Sequence, residues 1–240
     1  MERLDGRTPA QLRPVTIEMG FQKNAAGSCL VSFGNTRVIC AASVENNVPP
    51  FLTGKGKGWL TAEYAMLPAS TQSRKRRDGV KQDGRSVEIQ RLIGRSLRAV
   101  VDLEKLGERT IRLDCDVLDA DGGTRTASIT GAWCALAMAV KGLKKQGLLQ
   151  ESPILSQVAA VSCGVVEDTP IVDLCYTEDS HAQVDMNFVM TGQGQFVEIQ
   201  GTGEGRAFTR EEMQQMLCMG QAAIETLFSQ QKQALEALYE

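Results

Sequence analysis

Apolar and polar residues alternate along several stretches of the chain, as is typical of half-buried β-strands. Residues 28–46 contain two apolar, β-branched runs on either side of Gly34 and Asn35, a dipeptide suited to a tight hairpin turn. Residues 59–67 predict a further strand. Over 108–121 the period is again two, with Ile111, Leu113, Cys115 and Val117 on one face and Arg112, Asp114 and Asp116 on the other.

Helical spacing replaces this alternation in three segments. Over 84–107 the apolar residues recur every three or four positions, and over 127–147 small apolar residues lead to a lysine-rich end at Gly147. A long final helix is predicted to begin after Thr209, which can form a capping box with Glu212. The apolar face of the first helix consists of Ile89, Leu92, Ile93, Leu97, Val100 and Val101, and another face carries Arg91, Arg95 and Arg98.

The order of these elements predicts the fold class. Residues 68–84 contain almost no apolar side chains and predict a long exposed loop, whereas residues 157–199 predict mainly strands. Strands followed by helices therefore occur twice, which indicates an α+β fold. We expect two halves, 1–145 and 150–240, divided near residue 150.

Composition narrows the possible chemistry. With 240 residues, 42% of them hydrophobic, the chain can bury a sizeable core. It has no run of about 18 apolar residues and a charged beginning, so we expect a soluble cytosolic protein without membrane contact. Seven cysteines without a C-x-x-C pair are expected to be reduced core thiols. Because His181 is the only histidine, a metal site would consist of carboxylates, which favour magnesium or manganese.

The charge is distributed unevenly. The chain carries −3 overall, yet only three of its 26 basic residues lie beyond residue 150, together with 14 of its 29 acidic residues. The first part is therefore about +8 and the second about −11. This division favours a basic surface for a polyanion in the first part, and metal ligands or a salt-linked interface in the second. Alternatively, the opposite charges only help the two halves to pack.

Residues 119–128, DADGGTRTAS, join a predicted strand to a predicted helix. The glycines are expected to let another molecule approach the main chain closely. The amides of Gly123, Thr124 and Arg125 would then point at an anion, with the helix dipole adding positive potential. A tight turn with an exposed arginine explains the pattern equally well. Arg85, which follows Gly84, could meet the same anion or simply be solvated.

Two further groups are candidates for binding. Asp179 and Asp185 lie on either side of a bend before a predicted strand, and two neighbouring carboxylates suit a magnesium site or are surface residues at a strand entrance. Arg74, Arg76 and Arg77 lie in the exposed loop, where they can grip phosphates without reading bases or be solvated. On the first helix, one arginine can face substrate, although Glu88 is an available partner for Arg91.

Five stretches, taken together, closely resemble the bacterial ribonuclease PH family. They are residues 56–68, 84–111, 114–132, 179–192 and 198–205, and they run in order over nearly the entire chain. Members of this family shorten RNA, notably transfer RNA (tRNA) precursors, from the 3′ end, using inorganic phosphate instead of water and releasing nucleoside diphosphates. The resemblance implies two βαβα-type halves of the ribosomal protein S5 domain 2-like fold, and a cytoplasmic ring of six subunits arranged as a trimer of dimers.

The resemblance also implies roles for particular residues. The family's phosphate site falls on Arg85, Gly123, Thr124 and Arg125, and its acidic metal pair falls on Asp179 and Asp185. The resemblance thus implies that Arg125 and the two aspartates are catalytic. The family's RNA-gripping loop falls on Arg74, Arg76 and Arg77, and Arg91 on the first helix is a further candidate for RNA binding.

Two other functions remain open at this point. One is a non-catalytic RNA-binding subunit of an exosome-like ring, against which the intact GGTR motif and both aspartates argue. The other is a phosphotransferase that uses nucleoside triphosphates, but the chain has no G-x-x-x-x-G-K-[ST] phosphate loop. Phosphate-dependent release of nucleoside diphosphate separates all three.

Overall fold

The computed structural model describes residues 3–77 and 83–238 of the chain. The part of the predicted exposed loop at 78–82 lies outside the described residues. Within them, two β-sheets enclose a layer of helices.

The first sheet is mixed and has the strand order β1-β2-β3-β5-β4. Phe33 pairs with Thr36 across Gly34 and Asn35, and Gly34 has φ +55°, so the predicted hairpin turn is confirmed. β4 runs parallel to β5, which requires a crossover through a helix. The strands are β1 (Val15–Met19), β2 (Gly27–Phe33), β3 (Thr36–Glu45), β4 (Trp59–Met66) and β5 (Thr110–Asp119).

The crossover helix is shorter than its apolar pattern suggests. Helix α1 covers Gly84–Arg98, and a single turn, α2 (Leu103–Leu106), follows after Asp102, whose side chain caps it. Val100 and Val101 lie outside both helices but are buried, so the pattern predicted burial correctly and helix length incorrectly. A short 3₁₀ turn, Pro50–Leu52, precedes β4.

The second sheet is antiparallel with the order β7-β6-β8-β9. A one-turn helix connects β7 to β8, and the final helix begins after Thr209 with the predicted capping box. The elements are β6 (Val158–Val166), β7 (Thr169–Val172), α4 (Tyr176–Asp179), β8 (Val184–Thr191), β9 (Phe196–Gly203) and α5 (Arg210–Ala237).

Helix α3 (Thr124–Lys145) lies at the centre of the molecule. It packs against β2 and β3 of the first sheet and β6 of the second, and α5 contacts β6 beside it. By length and composition α3 could cross a membrane, but 78% of its most apolar window is buried inside the protein, as in a core helix. The larger of the two hydrophobic clusters among the described residues therefore runs through both sheets.

The cysteines follow the expectation only in part. All seven are free thiols, and Cys29, Cys40, Cys115, Cys134 and Cys163 are buried. Cys175 is half-buried and Cys218 is exposed on α5, so these two are not core thiols.

Candidate active site

The turn between β5 and α3 has the backbone geometry that anion binding requires. Gly122 and Gly123 have φ +75° and +66°, in the left-handed region that glycine adopts without strain. Gly123 is the N-cap of α3, and no side chain from the described part of the chain caps this helix end. The first amides of α3 are therefore available to a ligand, and they lie at the positive end of a 22-residue helix.

The absence of side chains on these glycines also serves the protein's own packing. A Cβ on Gly122 would lie 2.4 Å from the carbonyl oxygen of Leu174, and one on Gly123 would lie 3.1 Å from Nη2 of Arg13. The first distance is too short for any real Cβ. The missing side chains thus let the turn lie against Arg13 and against the main chain at Leu174.

Thr124 is buried at the first position of α3, and its Oγ1 lies 2.8 Å from the hydroxyl of Tyr64 on β4. Burial raises the pKa of Tyr64, while Thr124 and the positive charges of Arg85 and Arg125 oppose that rise. The hydroxyl therefore stays protonated at neutral pH. Tyr64 thus lies within the electrostatic reach of both arginines, although alternation alone marked it only as part of a strand.

Arg125 lies between three elements. Its Nη1 donates to Oε1 of Gln200 on β9 at 2.8 Å and to Oε1 of Glu88 on α1 at 3.3 Å. The side chain of Arg125 is only 14% exposed, so it is held in one direction. Glu88, which the sequence offered as a partner for Arg91, pairs with Arg125 instead.

Arg85 lies in the first turn of α1, immediately after the N-cap Asp83. It makes no hydrogen bond or ion pair with any residue that the structure describes. Its charge nevertheless opposes the rise in the pKa of both Asp179 and Asp185. The guanidinium of Arg85 therefore lies within electrostatic reach of the acidic pair.

Asp179 ends helix α4, and Asp185 is the second residue of β8. Burial and the negative charge of Asp179 raise the pKa of Asp185 to about 6, against the opposing charges of Arg125 and Arg85. Asp179 is exposed as a residue, yet the protein around its carboxyl group raises the pKa of that group too. Glu204 adds to both shifts. The two carboxylates are therefore close enough to repel each other.

The acidic pair suits a magnesium ion. Neither aspartate forms an ion pair with a residue in the described ranges, and neighbouring carboxylates with raised pKa values gain stability from a cation. No group of three or more metal-ligating side chains occurs among the described residues. An ion here would complete its ligands with water and substrate phosphate oxygens, which is the usual manner for magnesium.

The remaining basic candidates lie on the surface. Arg74, Arg76 and Arg77 are exposed, in a segment that Lys75 fastens to Asp83 at 3.1 Å. This ion pair brings the loop to the beginning of α1, next to Arg85. On α1 itself, Arg91 is exposed, whereas Arg95 pairs with Glu198 and Arg98 lies 4.7 Å above the ring of Trp59.

Several residues at this site were not predicted. Gln200 and Glu204 lie on or beside β9, Tyr64 on β4, and Arg13 behind the glycine turn. The only sequence signal for the first three was their position within 198–205 and 56–68, two of the stretches that resemble a known family.

Comparisons with known proteins show which family and which solved structures the chain resembles. Models of the 3′ exoribonuclease family match residues 11–141 (domain 1) and 156–223 (domain 2). The chain is 58% identical to Ribonuclease PH of Caulobacter vibrioides (strain NA1000 / CB15N), over 95% of this chain and 97% of that protein. It is also 58% identical to Ribonuclease PH of Synechococcus sp. (strain JA-2-3B'a(2-13)), over 98% and 97%.

Solved structures show the same fold at lower identity. The rice (Oryza sativa) protein Rrp46 superposes with a TM-score of 0.79 at 20% identity, covering 97% of this chain and all of that one. A chain of the Archaeoglobus fulgidus exosome with RNA bound to the active site gives 0.79 at 22% identity, covering 95% and 92%.

Proposed function

The chain belongs to the 3′ exoribonuclease family, and we propose that Arg85, Arg125, Asp179 and Asp185 form its catalytic centre. It is a phosphorolytic 3′–5′ exoribonuclease, a tRNA nucleotidyltransferase. An oxygen of inorganic phosphate bonds to the phosphorus of the terminal phosphodiester, and the bond from that phosphorus to the 3′ oxygen of the preceding nucleotide breaks. The products are a nucleoside diphosphate and an RNA one nucleotide shorter, and the reaction is reversible.

The observation that carries this assignment is the convergence of opposite charges from both halves at one end of α3. The nucleophile is already an anion, so no histidine base is needed. His181, the only histidine, lies exposed and its Nδ1 contacts the carbonyl of Thr177 at 2.8 Å. The site must bring two anions together in line. Arginine side chains, main-chain amides and a cation can do this.

The attacking phosphate lies at the glycine turn. The amides of Gly123, Thr124 and Arg125, the hydroxyl of Thr124 and the guanidinium groups of Arg85 and Arg125 bind it. Arg85 has no ion-pair partner within 3–77 and 83–238 that would hold it away from the anion, while Gln200 and Glu88 hold Arg125 in place. Charge-assisted bonds of this kind are stronger than neutral ones.

Asp179 and Asp185 hold the metal, for which Mg²⁺ fits best and Mn²⁺ is the alternative. When bound, the ion neutralises charge on the scissile phosphate and on the leaving 3′ oxygen. The carboxylates must be ionised to hold it. Because the pKa of Asp185 is about 6, this requirement is met at neutral pH.

A short unstructured RNA tests the function directly. With inorganic phosphate and magnesium, we expect chromatography to show nucleoside diphosphates and RNA shortened stepwise from the 3′ end. Omitting phosphate should stop the reaction. Release of nucleoside monophosphates without phosphate would show hydrolysis and would refute the proposal, and binding without any shortening would favour the non-catalytic ring subunit.

RNA is held by a basic surface beside this centre, made of Arg74, Arg76, Arg77 and Arg91. All four are exposed, and Lys75 ties the loop arginines to the beginning of α1. We propose structured tRNA precursors as the substrates and a cytoplasmic hexameric ring, a trimer of dimers, as the assembly. Such symmetry would repeat the basic surface around one opening.

Neutralising the loop gives a test of this surface. The triple variant Arg74→Gln, Arg76→Gln, Arg77→Gln should bind a structured precursor more weakly and with a flatter salt dependence. The log-log slope should fall by up to about 0.7 to 0.9 for each lost phosphate contact. Filter binding across a range of salt concentrations measures this slope.

A matched variant separates this effect from the change in net charge. Lys23→Gln, Lys144→Gln, Lys145→Gln removes the same charge from exposed positions, two of them at the opposite end of α3, and should leave the slope unchanged. Phosphorolysis of a very short oligonucleotide should be retained in both variants. Equal losses on long and short RNA would show that the loop supports the active site instead.

A further inference from the structure

A buried cluster of five charges lies directly behind the glycine turn. All five residues are at most 7% exposed. Buried charges are costly unless they are paired, and a hydrophobic replacement is often as stable. Stability alone is therefore a weak explanation for the cluster. Its members are Arg3, Arg7 and Arg13 from the N-terminal segment, and Asp173 and Glu178 from the second half.

Arg13 connects this cluster to the turn. Its Nη2 and Nε donate to the two carboxylate oxygens of Asp173 at 2.6 and 3.0 Å, and its backbone amide donates to Oδ2 at 2.7 Å. The same guanidinium donates to the carbonyl oxygens of Asp121 and Gly122. One side chain therefore joins the residues before α3 to the residues before α4.

These bonds set the direction of the turn's amides. The carbonyl of Gly122 also accepts a hydrogen bond from Oγ1 of Thr36 at 2.6 Å, and this hydroxyl accepts from the amide of Asp121 at 2.9 Å. In a planar trans peptide, the C=O and the following N–H point in opposite directions. Because the carbonyl of Gly122 is held toward Arg13 and Thr36, the amide of Gly123 faces away from them.

Asp173 lies at the start of the segment that leads to Asp179. It has φ +55°, a left-handed conformation that costs energy for a residue other than glycine, and its amide donates to Ser162 at 2.7 Å. The chain then passes Leu174, whose carbonyl lies against Gly122, and forms the single turn that ends at Asp179. The strained residue that pairs with Arg13 therefore begins the segment that positions one of the carboxylates.

We propose that Arg13 and Asp173 are positioning residues that hold the glycine turn and Asp179 at a fixed separation. Neither residue touches the reacting atoms. They act because phosphate and metal are bound by different halves of the chain, and a shift of about 1 Å between such groups can cost about 100-fold in rate. The inference rests on the phosphate and metal roles of the proposed function.

Two variants distinguish an effect on the glycine turn from an effect on the segment that leads to Asp179. Arg13→Lys keeps a charge beside Asp173 but cannot reach both carbonyls, so the KM for inorganic phosphate should rise about 10- to 100-fold. Manganese binding, followed by electron paramagnetic resonance without RNA, should weaken too. Thr36→Val removes only the bonds to the turn, so it should raise the KM for phosphate and leave manganese binding and the KM for RNA unchanged.

Two reference variants make every outcome informative. Gln231→Leu removes two buried hydrogen bonds, to the carbonyls of Thr130 and Val158, and should lower Tm without changing the KM for phosphate. Arg125→Ala should raise that KM, and if it does not, the proposed phosphate site is wrong and the inference falls with it. If Arg125→Ala does raise it, an unchanged KM in Thr36→Val, or an equal rise in Gln231→Leu, overturns the positioning role alone.

Discussion

Replacing Arg125 with alanine is expected to cost roughly 2 to 4 kcal/mol of transition-state stabilisation, or about 30- to 1,000-fold in rate with limiting phosphate. The guanidinium is held at one nitrogen by Gln200 and Glu88, which leaves its other donors for the anion. Loss of the guanidinium should impair the use of phosphate and not the binding of RNA. Initial rates of nucleoside diphosphate release against phosphate concentration measure this effect, and RNA binding should survive.

Arg125→Lys is the informative companion to this variant. It retains the positive charge but loses the planar pair of donors, so a bidentate contact predicts a large loss and a simple charge effect predicts a small one. Because Glu88 is 49% exposed at its side chain, it can turn to water when its partner is removed. A normal rate for Arg125→Ala at limiting phosphate would refute the phosphate role.

The sequence predicted those parts of the site that depend on local pattern. In β5 one face is buried in the core, so the two-residue period correctly placed Ile111, Leu113, Cys115 and Val117 inside. The glycine pair likewise marked the end of a strand and the N-terminus of α3. Such features need only neighbouring residues, and hence they can be read without knowledge of the fold.

The contacts that complete the site are formed between distant parts of the chain. Arg125 and Gln200 are 75 residues apart, and Arg13 and Asp173 are 160 apart. No local period encodes such a pair, since it depends on how β9 and the N-terminal segment lie across the two sheets. The parallel pairing of β4 with β5 likewise depends on the overall fold and is not encoded by a local period.

Part of the charge division serves the packing of the two halves. Arg3, Arg7 and Arg13 contribute to the positive first part, but they are buried against Asp173 and Glu178, so they belong to a salt-linked interface and not to a basic surface. The exposed arginines of the loop remain candidates for binding RNA. Counting charges along the chain could not separate these two groups because burial decides which of them a polyanion can reach.

Replacing Asp185 with asparagine is expected to abolish phosphorolysis at ordinary magnesium concentrations and, at the same time, to stabilise the metal-free protein. An amide is a poorer magnesium ligand than a carboxylate, so the loss of phosphorolysis follows from the proposed metal role. Manganese binding measured by electron paramagnetic resonance should be lost together with activity. An active variant with unchanged manganese binding would refute that role.

The stabilisation follows from the pKa of Asp185, which is about 6 in the native protein against 3.8 ordinarily. Between these two pH values the native state binds more protons than the unfolded state, so the ionised carboxylate destabilises the fold increasingly as pH rises. At pH 7 this cost reaches up to about 3 kcal/mol, and Asp185→Asn removes it. Thermal unfolding in a chelator should therefore show a higher Tm for the variant at pH 7, with the difference disappearing toward pH 4. Excess magnesium should reverse the order by stabilising only the parent protein, and a variant less stable than its parent in chelator at pH 7 would show that Asp185 is a structural residue.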